Sequence, residues 1–258
     1  MHILVTNDDG IMAPGLLELA RTMTKMGKVF VVAPTEEKSA TGHGITVHQP
    51  LRIREYKLPG IEQAWAVTGT PADCVKLGLK ELISKECSLL ISGINNGPNL
   101  GTDVLYSGTV SAAIEGALLG IPSIAVSLAS YEADDYRLSA EVALHVAKLL
   151  YANKKTFPPD TLLNINVPPI SRDCLKGYKV TKLGIREYEN VFEKRTDPRG
   201  RPYYWLAGDI IPSQEKDPEI DLVAVEHNFV SITPIHFDLT NYRIINKVKE
   251  WGIEAVKL

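Results

Sequence analysis

Asp8 and Asp9 stand side by side in Asn7-Asp8-Asp9-Gly10, straight after a short apolar run. Adjacent carboxylates repel, so holding both at one strand end calls for compensation, most simply a cation. On a regular strand they would point to opposite faces. They converge only where the pleat breaks, and Gly10 permits that break. A second polar loop, Pro34–Gly44 (PTEEKSATGHG), offers hydroxyls and amides around Ser39 at its midpoint. His43 in that loop reads as an exposed histidine rather than an acid or base. A third stretch, Ser92–Thr109 (SGINNGPNLGTDVLYSGT), holds four glycines and three asparagines. A loop of that length inside a compact chain is usually functional. Asn95 and Asn96 bring amide oxygens, which are hard ligands. Ser107-Gly108-Thr109 opens a helix, where free amides, hydroxyls and the helix dipole favour an anion.

Two carboxylates, a hydroxyl and an amide oxygen make an all-oxygen set for a hard divalent ion, Mg²⁺ or Mn²⁺ rather than zinc. A cation beside an anion site points to phosphoryl chemistry. In that chemistry water attacks phosphorus. Asp8 or Asp9 orients the water or takes its proton. The amides of Ser107, Gly108 and Thr109 hold the other phosphate oxygens. Other machineries are missing from the chain: there is no GxxxxGK[ST], no GxGxxG after the first strand and no GxSxG. An aspartate-nucleophile phosphatase needs Asp-x-Asp, and Gly10 stands at the second aspartate position. A metal-dependent nucleotide-sugar transferase and a non-catalytic nucleotide sensor are the competing readings of the same residues.

These loops must be carried by a scaffold. His2–Thr6, Lys28–Ala33, Ser88–Ser92, Ser123–Leu128 and Leu162–Val167 read as strands, most of them apolar throughout, as in a parallel sheet covered on both faces. Helices are expected over Pro14–Met26, from a Thr70 cap with Pro71 and Asp73, over Thr109–Leu119, and over Asp135–Tyr151 with Leu138, Val142, Val146 and Leu149 on one face. Alternating strands and helices imply βαβ units, with ligands beyond the carboxyl ends of the strands. The expected fold is α/β: a Rossmann-like, mostly parallel sheet with helices on both faces. Residues 1–170 form that core. Residues 171–258 read as a β-rich extension, a protruding hairpin used in oligomerisation, packed on the core and on a partner subunit: strands over Tyr178–Arg186 and Tyr203–Leu206 around a polar segment over Glu187–Pro202 with an Asp197-Pro198-Arg199-Gly200 turn, a strand over Phe229–Thr233, and a last helix capped by Thr240. Tyr203-Tyr204-Trp205 is read as core packing in preference to an interface.

The 258 residues carry a net charge of −3, which excludes a broad basic surface for nucleic-acid polymers or anionic membranes but not a phosphate site. Cys74, Cys87 and Cys174 are too few and too scattered for a disulfide framework and read as buried thiols of a cytoplasmic protein. No stretch reaches the length of a membrane span.

The chain resembles the SurE survival-protein family of stationary-phase nucleotidases. The resemblance rests on Ile3–Gly15 (ILVTNDDGIMAPG), Val31–Ser39, Gly69–Cys74, Ser92–Gly101 (SGINNGPNLG), Tyr106–Gly116 (YSGTVSAAIEG), Leu163–Pro168, Tyr203–Leu206 and Val230–Pro234. It implies a metal-dependent phosphatase acting on nucleoside 5′- and 3′-monophosphates and, in some members, short polyphosphate. By this similarity Asp8, Asp9, Ser39 and Asn95 hold one divalent cation per subunit. Asn96, Ser107, Gly108 and Thr109 face the phosphate. It also implies a homodimer or tetramer paired through the C-terminal extension. The chain departs from the family pattern at Cys87-Ser88, where Pro-Asp is usual, and in Glu36-Glu37-Lys38, where many members place Arg or Gln before the serine.

Overall fold

Along His2–Thr6 the side chains alternate, so Leu4 enters one face of a sheet and Ile3 and Val5 the other. The same two-faced burial recurs in every central strand of the computed structural model, which describes residues 1–83, 86–189 and 191–255. The last three residues of the expected extension, 256–258, lie outside the described residues. In chain order the elements are β1 (His2–Thr6), α1 (Pro14–Met23), β2 (Lys28–Pro34), β3 (Ile53–Glu55), β4 (Gln63–Val67), α2 (Pro71–Leu77), β5 (Leu89–Asn96), α3 (Gly108–Leu118), β6 (Ser123–Leu128), α4 (Arg137–Asn153), β7 (Thr161–Val167), β8 (Tyr178–Val180), β9 (Glu187–Tyr188), β10 (Val191–Thr196), β11 (Pro202–Ala207), β12 (Ile210–Ile211), α5 (Asp221–Glu226), β13 (Val230–His236) and α6 (Ile245–Lys249).

Nine strands form one sheet in the order β3-β4-β2-β1-β5-β6-β7-β13-β8. The six from β4 to β7 are mutually parallel, whereas β3 and β13 run against β4 and β7. Numbered by their appearance in the chain, the parallel strands stand in the order 3-2-1-4-5-6, the dinucleotide-fold arrangement. The chain leaves β1 outward to β2 and β4. It then returns through α2 to β5 on the other side of β1, so the order reverses between β1 and β5. Helices α1 and α4 bury Leu16, Leu19, Val142 and Val146 against one face. Helices α2 and α3 bury Val75, Val110, Ala112 and Ala113 against the other. The Thr70 cap forms as expected: the Asp73 amide donates to Thr70 Oγ1 at 3.1 Å, and the Thr70 amide to Asp73 Oδ2 at 2.9 Å.

Several expectations are corrected. Leu149 lies on the outer face of α4, where Ala140, Ala143, Ala147 and Leu150 share the core side with Val142 and Val146, because alanine lets the helix approach the sheet. Cys174 is exposed, while Cys74 and Cys87 are buried, and all three are free. The expected strand Tyr178–Arg186 stops at Val180. The expected polar segment over 187–202 contains β9 and β10. β10 pairs with β11 as a hairpin about Asp197-Pro198-Arg199-Gly200, whose Asp197 carboxylate accepts the amides of Arg199 and Arg201 at 2.8 and 2.9 Å. Tyr203, Tyr204 and Trp205 fill no core of this chain: they stand 41%, 57% and 59% exposed on a hairpin open on both faces. Thr240 caps no helix, since α6 begins after Ile244. Among the described residues no helix is long and apolar enough to cross a membrane.

Candidate active site

Strand order reverses between β1 and β5, and in sheets of this kind ligands bind beyond the carboxyl ends at that point; there Thr6 is the register partner of Ser92. Asp8 and Asp9 lie just past the end of β1. Gly10, with φ +97°, turns the chain away, and its ideal Cβ would stand 3.2 Å from the Glu36 backbone. That close approach brings the Ser39 loop alongside. The Lys38 amide donates to the Asp8 carbonyl at 2.7 Å, and the Ile11 amide to the Pro34 carbonyl at 2.8 Å. Backbone hydrogen bonds therefore join the first and second polar loops.

The third loop joins through side chains. Asp8, 4% exposed, takes the Thr109 amide on Oδ2 at 3.0 Å and the Thr109 hydroxyl on Oδ1. The anion seated on the N-terminal turn of α3 is thus a carboxylate of the chain itself. Asp9 turns the other way and takes the Asn96 amide on Oδ2 at 3.2 Å. Ser107 caps α3: its Oγ accepts the Val110 amide at 3.0 Å, while its hydroxyl proton stays available to donate. Asn95 commits its amide nitrogen to the Gly97 carbonyl at 2.8 Å, which leaves its oxygen turned elsewhere. Ser39 is exposed and donates to Glu37 Oε1 at 2.6 Å. Asp8 and Asp9 follow β1, Ser39 lies in the loop after β2, Asn95 and Asn96 end β5, and Ser107, Gly108 and Thr109 cap and open α3, so all eight residues singled out in the sequence stand at this end of the sheet.

The electrostatics are those of a site short of positive charge. Burial lifts the Asp8 carboxyl above its ordinary range against the opposing hydrogen bonds from Thr109, and the charge of Glu37 adds to the lift. Burial, and then the neighbouring Asp8, push the Asp9 carboxyl up to about 7. Thr6 Oγ1, Asn7 Oδ1 and Ser92 Oγ are buried at the same strand ends and have no hydrogen-bond partner among the described residues. Among those residues no group of three or more His, Cys, Asp or Glu side chains forms a metal cluster. The available donors are two carboxylates with hydroxyl and amide oxygens, a set that fits a hard divalent cation and not zinc.

A pH signature follows. Without a cation Asp9 binds its proton more tightly folded than unfolded, its carboxyl moving from 3.8 to about 7. The stability this contributes is complete below the unfolded value and lost as pH rises through the folded one. The melting temperature of chelator-treated protein is therefore expected to fall between about pH 4 and 7, the interval the shift spans. Mn²⁺ should raise it far more at pH 8 than at pH 5. An equal Mn²⁺ effect at both pH values would contradict this account of the pair.

One cluster escaped the sequence reading. The Asn99 amide donates to Asn166 Oδ1 at 2.8 Å, and the Asn99 carbonyl accepts from Asn164 and Asn166 at 2.9 and 3.0 Å. This buried amide knot fastens the third loop to β7. Its signal was legible: two asparagines at alternate positions of an otherwise apolar strand, Leu163-Asn164-Ile165-Asn166-Val167, share one face and need a polar partner there.

The family model described as "Survival protein SurE" matches residues 3–190. A protein named "5'-nucleotidase SurE" from Heliobacterium modesticaldum is 54% identical over 252 residues, covering 97% of this chain and 92% of that one. Another of the same name from Pelotomaculum thermopropionicum is 55% identical over 251 residues, covering 97% and 95%. The crystal structure of the SurE protein from Aquifex aeolicus superposes with a TM-score of 0.84 at 40% identity, covering 98% of this chain and 100% of its own.

Proposed function

The chain belongs to the SurE family, and on that premise we propose that it is a phosphatase of nucleoside monophosphates working with one divalent cation per subunit. The observation that carries this reading is the seating of Asp8 on the first turn of α3, beside Asp9, at the point where strand order reverses. Asp8, Asp9, Ser39 and Asn95 would hold Mg²⁺ or Mn²⁺. A cation bound there neutralises phosphate charge and makes a water more acidic.

The remaining roles fall to the chain's own groups. Thr109 has both donors on Asp8, so its part is to fix that carboxylate. Phosphate oxygens fall to the Gly108 amide, the Ser107 hydroxyl and the Asn96 side chain, donors set where negative charge grows as the ester bond breaks. Asp8 has both oxygens bound to Thr109, whereas Asp9 Oδ1 has no hydrogen-bond partner among the described residues. Asp9 is therefore the group that orients the attacking water and takes its proton at Oδ1. Activity on 3′-monophosphates and short polyphosphate belongs to the same reading, since the groups assigned roles address a phosphate group, which all of these substrates carry.

The extension over residues 171–258 is proposed to pair subunits into a dimer or tetramer. Phe192, Tyr204, Trp205 and Leu206 on the β10–β11 hairpin support this, because all are more than half exposed. The three free cysteines suit a reducing, cytoplasmic setting.

A phosphate-release panel tests the function. Nucleoside 5′- and 3′-monophosphates and polyphosphate are incubated with Mg²⁺, with Mn²⁺ and with chelator. Phosphate released from AMP with no acceptor present, and lost with chelator, is the expected result. Binding without turnover in either metal would identify a nucleotide sensor instead.

A further inference from the structure

Glu115 is a carboxylate where the packing would otherwise be apolar. It lies on α3 only 2% exposed, two turns beyond Gly108 and on the same side of the helix, between α3 and α2. Two groups satisfy it. Lys76 on α2 donates Nζ to Oε1 at 2.7 Å, and His43 places Nε2 2.9 Å from Oε2. Burial alone would raise this carboxyl. The hydrogen bonds and charges of His43 and Lys76 outweigh burial and hold it below the usual value, so it is ionised and can only accept. The hydrogen in the contact therefore sits on His43 Nε2.

His43 belongs to the loop that carries Ser39, four residues away. Between them Ala40 adopts φ +56°, a left-handed conformation that a residue with a Cβ keeps only where its surroundings enforce it. Backbone bonds fix the loop's path on either side: Thr41 Oγ1 to the Lys38 carbonyl at 2.9 Å, the Gly42 amide to the Tyr106 carbonyl at 3.0 Å, and Thr70 Oγ1 to the Gly44 carbonyl at 2.8 Å. His43 adds a contact of a different kind. If the loop lifts, Glu115 Oε2 is left as a buried charge without that donor, and such a group is costly to leave unpaired.

We propose that His43 is a positioning residue: its contact with Glu115 latches the Ser39 loop onto α3, the helix whose first turn holds Asp8. The demand of a buried carboxylate for a donor is thereby converted into a fixed place for Ser39 opposite Asp8 and Asp9. This inference rests on the reading of Ser39 as a cation ligand.

Metal-free wild-type, His43→Ala and His43→Gln proteins test it by calorimetric titration with Mn²⁺ and by amide hydrogen exchange over residues 36–46. His43→Ala is expected to weaken Mn²⁺ about tenfold, as losing a group that orients a ligand does, with kcat at saturating Mn²⁺ within about threefold of wild type. Exchange over the loop should accelerate by a similar factor while that of α3 is unchanged. His43→Gln should restore both, because its amide nitrogen reaches the position of Nε2. Unchanged exchange and Mn²⁺ affinity in His43→Ala would overturn the latch, as would a glutamine variant no better than alanine. If wild type takes up no Mn²⁺, the cation reading fails on its own, and loop exchange still decides whether His43 fastens the loop.

Discussion

Asp9→Asn is expected to lower kcat/KM for phosphate release at least about a hundredfold at saturating Mn²⁺, the scale of losing one well-placed charged group at a reacting centre. The metal-free protein should be no less stable for it. Asparagine keeps an oxygen for the Asn96 amide, and it removes a charge that burial and Asp8 both disfavour. Its melting temperature at pH 8 without cation should match or exceed that of wild type. Asp8→Asn is expected to lose activity to the same degree. An asparagine there can turn its oxygen to the Thr109 amide and its NH₂ to the Thr109 hydroxyl, which then accepts, but it brings no charge to a cation. Burial disfavours the Asp8 charge as it does that of Asp9, so this metal-free variant should also be no less stable at pH 8. Phosphate release and melting curves, each with Mn²⁺ and with chelator, separate a lost cation site from a lost fold. Near-normal activity in both variants would sink the cation site.

How far the sequence led depended on range. The strands facing two packed layers, the Thr70 capping box and the three polar loops after strands were legible because each signal is local, held within a few residues of alternation or capping chemistry. β4 was missed: Gln63-Ala64-Trp65-Ala66-Val67 has alanines where strand reading looks for branched side chains, and only the close approach of neighbouring elements explains them. The hairpin was expected, but its first strand was misplaced for a similar reason. Val191–Thr196 is charged enough to read as a loop, and its pairing with Pro202–Ala207 becomes visible only in the register. The candidate ligands could be gathered on one side of the sheet from the rule that crevices open at strand ends. Their division of labour could not. Thr109 and Asp8 are 101 residues apart, and their contact depends on how closely the first turn of α3 approaches the end of β1. The same limit hid the His43–Glu115 contact across 72 residues.

Under the proposed function the position of Asp8 also explains how an acidic chain would accommodate a phosphate ester. A helix N-terminus with free donors would attract any anion. Here a carboxylate of the chain already takes the donors of Thr109, so the polarity of the turn is spent on fixing the proposed cation ligand. Attraction for substrate would then come from the cation and from donors further along the loop. A net charge of −3 is compatible with such a site, because the binding charge would be imported and not built into the surface.

That arrangement depends on one missing side chain, and Gly108→Ala is expected to show it. Gly108 opens α3 with ordinary helical backbone, where alanine is the better helix former by about 1 kcal/mol. Propensity alone predicts a more stable protein. The added Cβ, however, would stand 2.8 Å from both Cβ and Oδ2 of Asp8 and 3.2 Å from its Cγ. Asp8 has little room to retreat: its carbonyl holds the Lys38 amide at 2.7 Å and its carboxylate holds Thr109. Either the first turn of α3 lifts away or Asp8 rotates and releases Thr109, and both misplace Asp8, the proposed cation ligand. A displacement of that order costs about a hundredfold in turnover, and Mn²⁺ affinity measured on the metal-free variant should fall with it. The backbone amide of residue 108 survives the substitution, so the loss would come through Asp8 and not through a missing phosphate donor. Gly116→Ala on the same helix is the matched comparison. Its Cβ would meet Ser123 Oγ at 2.3 Å and Leu90 Cδ1 at 3.0 Å, away from the loops. That variant should lose melting temperature while its folded fraction keeps its Mn²⁺ affinity. A Gly108→Ala protein with full activity and wild-type Mn²⁺ affinity would mean that the contact between Asp8 and α3 does not position the site.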